Sequence, residues 1–254
     1  MKFLNLEETL STNSYASARA AELEDWTVVS ARRQTAGRGQ RGNGWEAEEG
    51  KNLTFSVFFR PENFRARDQF ALSEAVALAV VETLAGEGVE ARVKWPNDIY
   101  VGDRKICGIL IEHAVMGMNV SSTVAGVGLN VNQARFLSDA PNPVSLIQLT
   151  GRESDLTEML ARLAELIRRN CEAAYTEEGR RELHRRFIDR LWRGDGRLHP
   201  FRLPDGTRFE ARIADVEPAG FLLLETADGE MKRFAFKEVI FSLPDKIPVP
   251  QGTE

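Results

Sequence analysis

Between Arg32 and Gly44 the chain carries four arginines (Arg32, Arg33, Arg38, Arg41) and four glycines (Gly37, Gly39, Gly42, Gly44), with Gln34 and Gln40 among them and Trp45 just beyond. Glycines let backbone N–H groups approach an anion closely, and guanidinium forks match phosphate or carboxylate oxygens. Gly37, Gly39 and Gly42 formally satisfy GxGxxG. A dinucleotide fingerprint, however, needs a helix directly after the last glycine, and Asn43, Gly44, Trp45 and Gly50 oppose one. The chain has no GxxxxGK[ST] loop and none of the companion motifs of a protein kinase. The stretch therefore reads as an anion-binding loop; the bland alternative is a solvated basic loop with Trp45 packed beneath it.

Two further stretches could do chemistry. In Val93-Lys94-Trp95-Pro96-Asn97-Asp98 a lysine stands at the end of a strand before a turn, where it either points into a cleft as a fixed cation or lies exposed. In Gly126-Val127-Gly128-Leu129-Asn130-Val131-Asn132 glycines interrupt a strand, which means close approach by a ligand or a simple bulge. His113, His184 and His199 lack partner spacing for a metal or a general base, so each is expected as an ordinary surface or core histidine. Cys107 lies in an apolar strand as a small hydrophobe, and no residue set for a metal is apparent.

The elements that must position these residues follow from period and punctuation. A helix capped near Ser11 is expected through about residue 23, then a strand near 26–31, the irregular loop over 34–50 and a strand over 53–59. Apolar residues at helical spacing predict a helix over 68–84, ending at Gly86. Short strands follow at 92–95 and 99–101, then a hairpin of 105–114 with 119–131. Asp155 with Glu158 predicts the start of a helix, and a second helical stretch rich in Arg and Glu spans 177–192, read as a solvated face. From Gly194 onward tight turns recur at about 10-residue spacing, which predicts a small β-barrel. The fold class is therefore α+β, a mixed and mostly antiparallel sheet with flanking helices, not a doubly wound parallel sheet. The expected division is a body of residues 1–193, an all-β unit of 194–243 and a frayed tail of 244–254.

With 254 residues, 43% apolar, the chain can bury a large core. Lys and Arg total 33 against 38 Asp and Glu, a net charge of −5, which argues against sequence-independent nucleic-acid binding. No apolar stretch long enough for a membrane span is expected, and the start lacks a secretory pattern. Two cysteines 64 positions apart suggest no disulfide framework, so a reducing, cytoplasmic setting is expected.

Ser11-Thr12-Asn13, the stretch from Gln34 to Trp45, Lys94-Trp95-Pro96-Asn97-Asp98, the run from Gly102 to Leu110 and Gly126 to Asn132 occur in an order and spacing that resemble the biotin protein ligases. The GRGxRG loop followed by KWPND is specific to that family. The resemblance covers the whole chain, with the C-terminal β unit similar to the family's SH3-like domain. Regulatory members carry a DNA-binding domain ahead of the catalytic one; here Ser11 comes almost at once, so the stand-alone ligase is expected, acting without DNA.

The resemblance implies two steps. Biotin's carboxylate attacks the α-phosphorus of ATP, giving biotinyl-5'-AMP and pyrophosphate; a lysine of a biotin carboxyl carrier domain then takes the acyl group and AMP leaves. Mg²⁺ would ride on the phosphates. By correspondence, Lys94, Arg38, Arg41 and Asp98 would be catalytic, with Asp98 offered as the base only by proximity. Ser11, Thr12, Asn13, Gln34, Gly37, Arg38, Gly39, Gln40 and Lys94 would bind biotin. Arg38, Arg41, Trp45, Lys94, Lys105 and Asn130 would bind the nucleotide. Where many members read RGRRG, this chain has Gln40 in place of the middle arginine, which bears on how tightly the adenylate is held. The competing readings are a lipoate or octanoate ligase, a non-catalytic biotin or nucleotide binder, and a biotin-sensing transcription factor. A homodimer through the sheet is left open.

Overall fold

The computed structural model describes residues 1–40, 43–137 and 142–242. In chain order its elements are β1 (Lys2–Thr9), α1 (Thr12–Ala18), β2 (Thr27–Gln34), β3 (Leu53–Phe59), α2 (Phe70–Gly86), β4 (Arg92–Lys94), β5 (Asp98–Val101), β6 (Arg104–Met116) and β7 (Asn119–Leu129). Then follow α3 (Leu146–Thr150), α4 (Leu156–Ala173), α5 (Glu177–Asp189), β8 (His199–Arg202), β9 (Arg208–Val216), β10 (Leu222–Thr226), β11 (Met231–Phe234) and β12 (Ile240–Phe241). The first seven strands form one sheet in the order β1-β2-β3-β7-β6-β5-β4, in which only β1 and β2 run parallel.

Strand β3 shows how the sheet divides its two faces. Successive side chains alternate across a strand, so Leu53, Phe55, Val57 and Phe59 enter the main core beneath α2 and α4. Thr54, Ser56 and Phe58 point the other way, where Phe58 packs with Ala16 of α1, Leu23, Val29 and Val124. All seven residues of β3 are buried because both faces are covered.

The helix expected over 68–84 is α2, but it has no single apolar face: twelve of its 17 residues are buried. It lies between the sheet and α4 and α5. The stretch Ala66–Gly86 is long and apolar enough to cross a membrane by length and composition alone, contrary to the expectation from sequence. Two-thirds of that window (67%) is buried inside the fold, as befits a core helix. Helix α4 starts as expected: Asp155 accepts from Thr157 N and Glu158 N, a cap worth about 1 kcal/mol. Strand β1 and the short α3 were not anticipated, and α1 ends at Ala18 rather than near residue 23.

The last five strands form a second, antiparallel sheet in the order β11-β10-β9-β8-β12. Phe209 stacks with Phe201 and Phe234, and Phe241 packs against Phe201 at a tilt. It is tied to the first sheet at the segment after α5: Val93 N donates to Arg190 O and Trp192 N to Val93 O, both at 2.8 Å. The Trp192 ring lies between Tyr100 and Phe241, 5.4 and 5.8 Å from their centroids. Residues 244–254, expected as a tail, lie outside the described residues.

Candidate active site

The site lies on the α1 face of the large sheet, where β3, β7 and β6 run side by side. On that face the paired residues are Gly108 with Gly128, and Gly126 with both Leu110 and Ser56. Three bare positions in adjacent strands leave a floor of backbone. A β-carbon on Gly108 would stand 2.9 Å from the Trp45 ring, and one on Gly126 would stand 2.8 Å from Asn13 Cγ. The glycines in β7 are therefore a close-approach surface rather than a bulge.

One end of the floor is polar and closed by α1. Ser11, Thr12 and Asn13 are buried. Gln34 Oε1, at the end of β2, accepts from Thr12 N at 2.8 Å. Asn13 Nδ2 donates to Leu110 O at 3.0 Å and to Glu112 Oε2 at 2.8 Å, while Asn13 Oδ1 accepts from Ser56 Oγ at 2.6 Å. The Thr12 and Ser56 hydroxyls lie 2.8 Å apart.

The opposite end is cationic. Lys94 closes β4 opposite Asp98, with Nζ 5.1 Å from the Tyr100 ring and 5.4 Å from the Phe241 ring. Burial pushes the Lys94 ammonium below its ordinary value; Asp98 opposes this, and Lys105 and Arg193 reinforce it. Asp98 is paired with Lys105 at 2.7 Å. Among the described residues this end therefore offers more positive charge than Asp98, its one carboxylate, can neutralise. Arg38, on the loop, lies at the α1 end, where it meets Glu112 at 2.8 Å and Ser14 Oγ at 3.2 Å.

The loop folds back on itself through Gly39 N to Asn43 O at 2.7 Å and Trp45 N to Gly37 O at 3.0 Å. No helix follows the glycines, as expected. The Trp45 indole is thereby laid over Gly108 and Gly128, 5.5 Å from Lys105 Nζ. Trp45 Nε1, Gln40 Oε1 and Asn130 Oδ1 are buried and have no hydrogen-bond partner among the described residues, a cost of about 1–3 kcal/mol each unless a ligand satisfies them.

Together these groups line a cavity of about 140 Å³. Of the expected site residues it gathers Ser11, Thr12, Asn13, Gln34, Arg38, Gly39, Gln40, Trp45, Lys94, Asp98 and Lys105. Gly37 lies outside the cavity, at the outer side of the loop beside Leu110 and Glu112. Asn130 is buried and is not among the residues that line the cavity, its Nδ2 donating to Val144 O at 3.0 Å. Arg41 lies outside the described residues.

Several contributors were missed. Ser56 and Glu112 sit on strands whose outward positions face the glycines, a signal visible only once the strands are paired. Phe236 reaches the cavity from the second sheet, and Trp95 Nε1 donates to Gly220 O at 3.0 Å. Each histidine has a polar side-chain partner. His184 bridges Glu74 (2.8 Å) and Asp215 (3.1 Å), His199 meets Asp195 (2.8 Å) and His113 meets Thr123 (3.0 Å). Partner spacing failed to show these contacts because all three partners of His184 and His113 lie on other elements. No group of three or more His, Cys, Asp or Glu able to hold a metal occurs among the described residues.

Comparison with known proteins agrees with this geometry. Residues 6–130 match the Biotin/lipoate A/B protein ligase family. The bifunctional ligase/repressor BirA of Escherichia coli is 32% identical over 240 residues, covering 93% of this chain and 73% of that protein. A biotin–[acetyl-CoA-carboxylase] ligase of Mycobacterium tuberculosis is 37% identical over 162 residues, 61% of this chain and 59% of its own. In fold, the chain resembles a biotin protein ligase of Aquifex aeolicus solved with biotin and ATP, with a TM-score of 0.77 at 24% identity over 96% of this chain and 99% of that one. On sequence and fold together, the chain belongs to the biotin/lipoate A/B protein ligase family, among its biotin protein ligases.

Proposed function

We propose that the protein activates biotin with ATP and transfers it to a lysine of a biotin carboxyl carrier domain. The observation that carries this reading is the polarity of one cavity: hydrogen-bonding groups at the α1 end, the Trp45 ring over a glycine floor, and Lys94 and Lys105 at the other end. A ligand with an uncharged polar head, an apolar middle and a carboxylate fits that sequence of environments, and a nucleotide phosphate brings the negative charge the cationic end lacks.

In the first step a biotin carboxylate oxygen attacks the α-phosphorus of ATP, and the bond to the pyrophosphate oxygen breaks. Two anions must meet, so preorganised cations lower the barrier. Lys94, Lys105 and Arg38 serve this role, joined by Arg41 on the loop. In the second step the acceptor amine attacks the acyl carbon, the bond to AMP breaks, and an amide forms as the nitrogen loses a proton. Lys94 stabilises the charge gathering on the departing AMP. Asp98 is the carboxylate nearest this chemistry, and its pairing with Lys105 makes it a holder of Lys105 as much as a base. Trp45 and Asn130 serve the adenine, the indole by stacking and Asn130 through its unpartnered oxygen.

Mg²⁺ enters with ATP. Among the described residues Asp98 is the one carboxylate lining the cavity, and it is engaged with Lys105, so the site suits a phosphate-borne ion better than one caged by protein. Residues 1–193 form the catalytic unit, and residues 194–243 an SH3-like unit that supplies Phe236 to the cavity wall. The free, buried Cys107 and Cys171 support a reducing, cytoplasmic setting.

The test is pyrophosphate release with Mg·ATP and biotin, lipoate or octanoate in parallel, without a carrier. Release with biotin alone is expected. Release with lipoate or octanoate instead would move the protein to the sister activity, and no release from folded protein would leave a binding module.

A further inference from the structure

We propose that Glu112 is a positioning residue that fixes which atoms the site presents to the acid substrate, acting through Asn13 and Arg38; the proposal rests on the biotin-activating reading above. Glu112 stands on β6, on the outer side of the loop, and is not among the residues that line the cavity. Its two carboxylate oxygens are divided between two partners that do line it. Oε2 accepts from Asn13 Nδ2 at 2.8 Å, and Oε1 accepts from Arg38 Nη2 at 2.8 Å.

The consequence for Asn13 follows from counting hydrogens. A side-chain amide has two N–H donors and an oxygen with two lone pairs. Both donors are used, on Leu110 O and on Glu112, and Oδ1 accepts from Ser56. An ionised carboxylate can only accept, so the amide cannot turn over without setting its oxygen against the Glu112 oxygen. What Asn13 has left to offer is one lone pair on Oδ1. A head group carrying an N–H, such as a cyclic urea, can use that lone pair; a dithiolane or a plain alkyl chain cannot. Discrimination of this kind is strong, because a buried polar group left unpaired costs more than an ordinary contact gains.

The consequence for Arg38 is positional. The guanidinium is tied at Glu112 and, through Nη1, at Ser14 Oγ. One carboxylate thus sets both the amide that reads the head group and the loop guanidinium beside it. Neutralising it unlocks both, while leaving every residue that touches substrate in place.

The experiment is steady-state pyrophosphate release by Glu112→Gln in the full chain, with biotin and ATP varied separately and lipoate as the competing acid. It follows a demonstration of biotin-dependent release by the unaltered protein, so that failure of the underlying reading is seen first. The carboxamide retains size but can no longer accept from both partners. The expected result is a KM for biotin raised about tenfold, a KM for ATP and a kcat each within about threefold, and a lowered preference for biotin over lipoate. The Glu112→Gln and Arg38→Met changes are expected to be non-additive when combined. An unchanged KM for biotin, or a uniform fall in kcat with both KM values unmoved, would overturn the proposal. If Glu112→Gln does not fold, Glu112→Asp is judged by the same criteria; it keeps the charge but withdraws it by one methylene, with a smaller rise in the KM for biotin expected.

Discussion

The Trp45 indole lies directly on the backbone of Gly128, so that a β-carbon there would stand 2.5 Å from Nε1 and 2.8 Å from Cζ2. A loop residue and a strand residue 83 positions apart in the sequence thus form one surface. The loop's glycines allow the fold-back, and the strand's glycine allows the contact.

That contact makes Gly128→Ala a sharp probe. The methyl group meets a ring that cannot compress, and such overpacking costs about 1–3 kcal/mol unless the indole is displaced. Either way the nucleotide side of the site is disturbed. The KM for ATP is expected to rise at least fivefold, and thermal unfolding alongside steady-state kinetics separates displacement from destabilisation. Unchanged kinetics and unchanged Tm would remove Trp45 from the site.

Lys94 gives a prediction about protons. Burial lowers its pKa, Asp98 resists this, and Lys105 and Arg193 add to it. A bound carboxylate favours the ammonium and raises that pKa again. Binding of biotin is therefore expected to take up protons at alkaline pH, and affinity to fall as pH rises through the lowered pKa of the free protein. Calorimetry in buffers of differing ionisation enthalpy measures the uptake directly. In Lys94→Met it should vanish.

His184 gives one about stability. Its contact with Glu74 raises its pKa above the ordinary histidine value, and burial raises that of Glu74. Glu74 lies on the core helix α2 and Asp215 on β9, so the imidazole links the core helix to the second sheet through its two nitrogens. A group whose folded pKa is raised stabilises fully below its unfolded value and loses that contribution as pH climbs through the folded one. The protein is thus expected to lose stability as pH rises above about 6.5. His184→Gln should flatten this dependence and cost about 1–3 kcal/mol at pH 6 by leaving Glu74 poorly matched. Denaturant unfolding across pH checks both, and a slope unaltered in the variant would assign the pH dependence elsewhere.

Gln40 bears on retention of the intermediate. Its Oε1 is buried without a partner among the described residues, where the cavity meets two further clefts lined by Phe70, Asn97 and Ala219. Gln40→Arg replaces that oxygen with a cation near an anionic ligand. Dissociation of preformed biotinyl-5'-AMP is expected to slow by at least threefold. A chase measurement giving the same rate as the unaltered chain would show that this position does not control escape.

Much of this molecule was legible from local pattern. Strand β3 at Leu53–Phe59, the Asp155 cap of α4 and the absence of a helix after Gly42 each depend on a few neighbouring residues, whose period or backbone freedom decides the outcome. Most of the cavity lining was legible in the same way, because its residues cluster in short runs with unusual chemistry. The contacts of Glu112, Ser56, His184 and Phe236 were not. Glu112 meets Asn13 across 99 positions and His184 meets Glu74 across 110. Those meetings depend on the strand order β3-β7-β6 and on α2 being buried on all sides, and no local window encodes which strand lies beside which. Local pattern marks most of the elements, though not β1 or α3, and the chemical groups they carry. Which face each group takes and whom it meets is settled in three dimensions, because long-range pairing selects among locally equivalent positions by burying some and leaving others open.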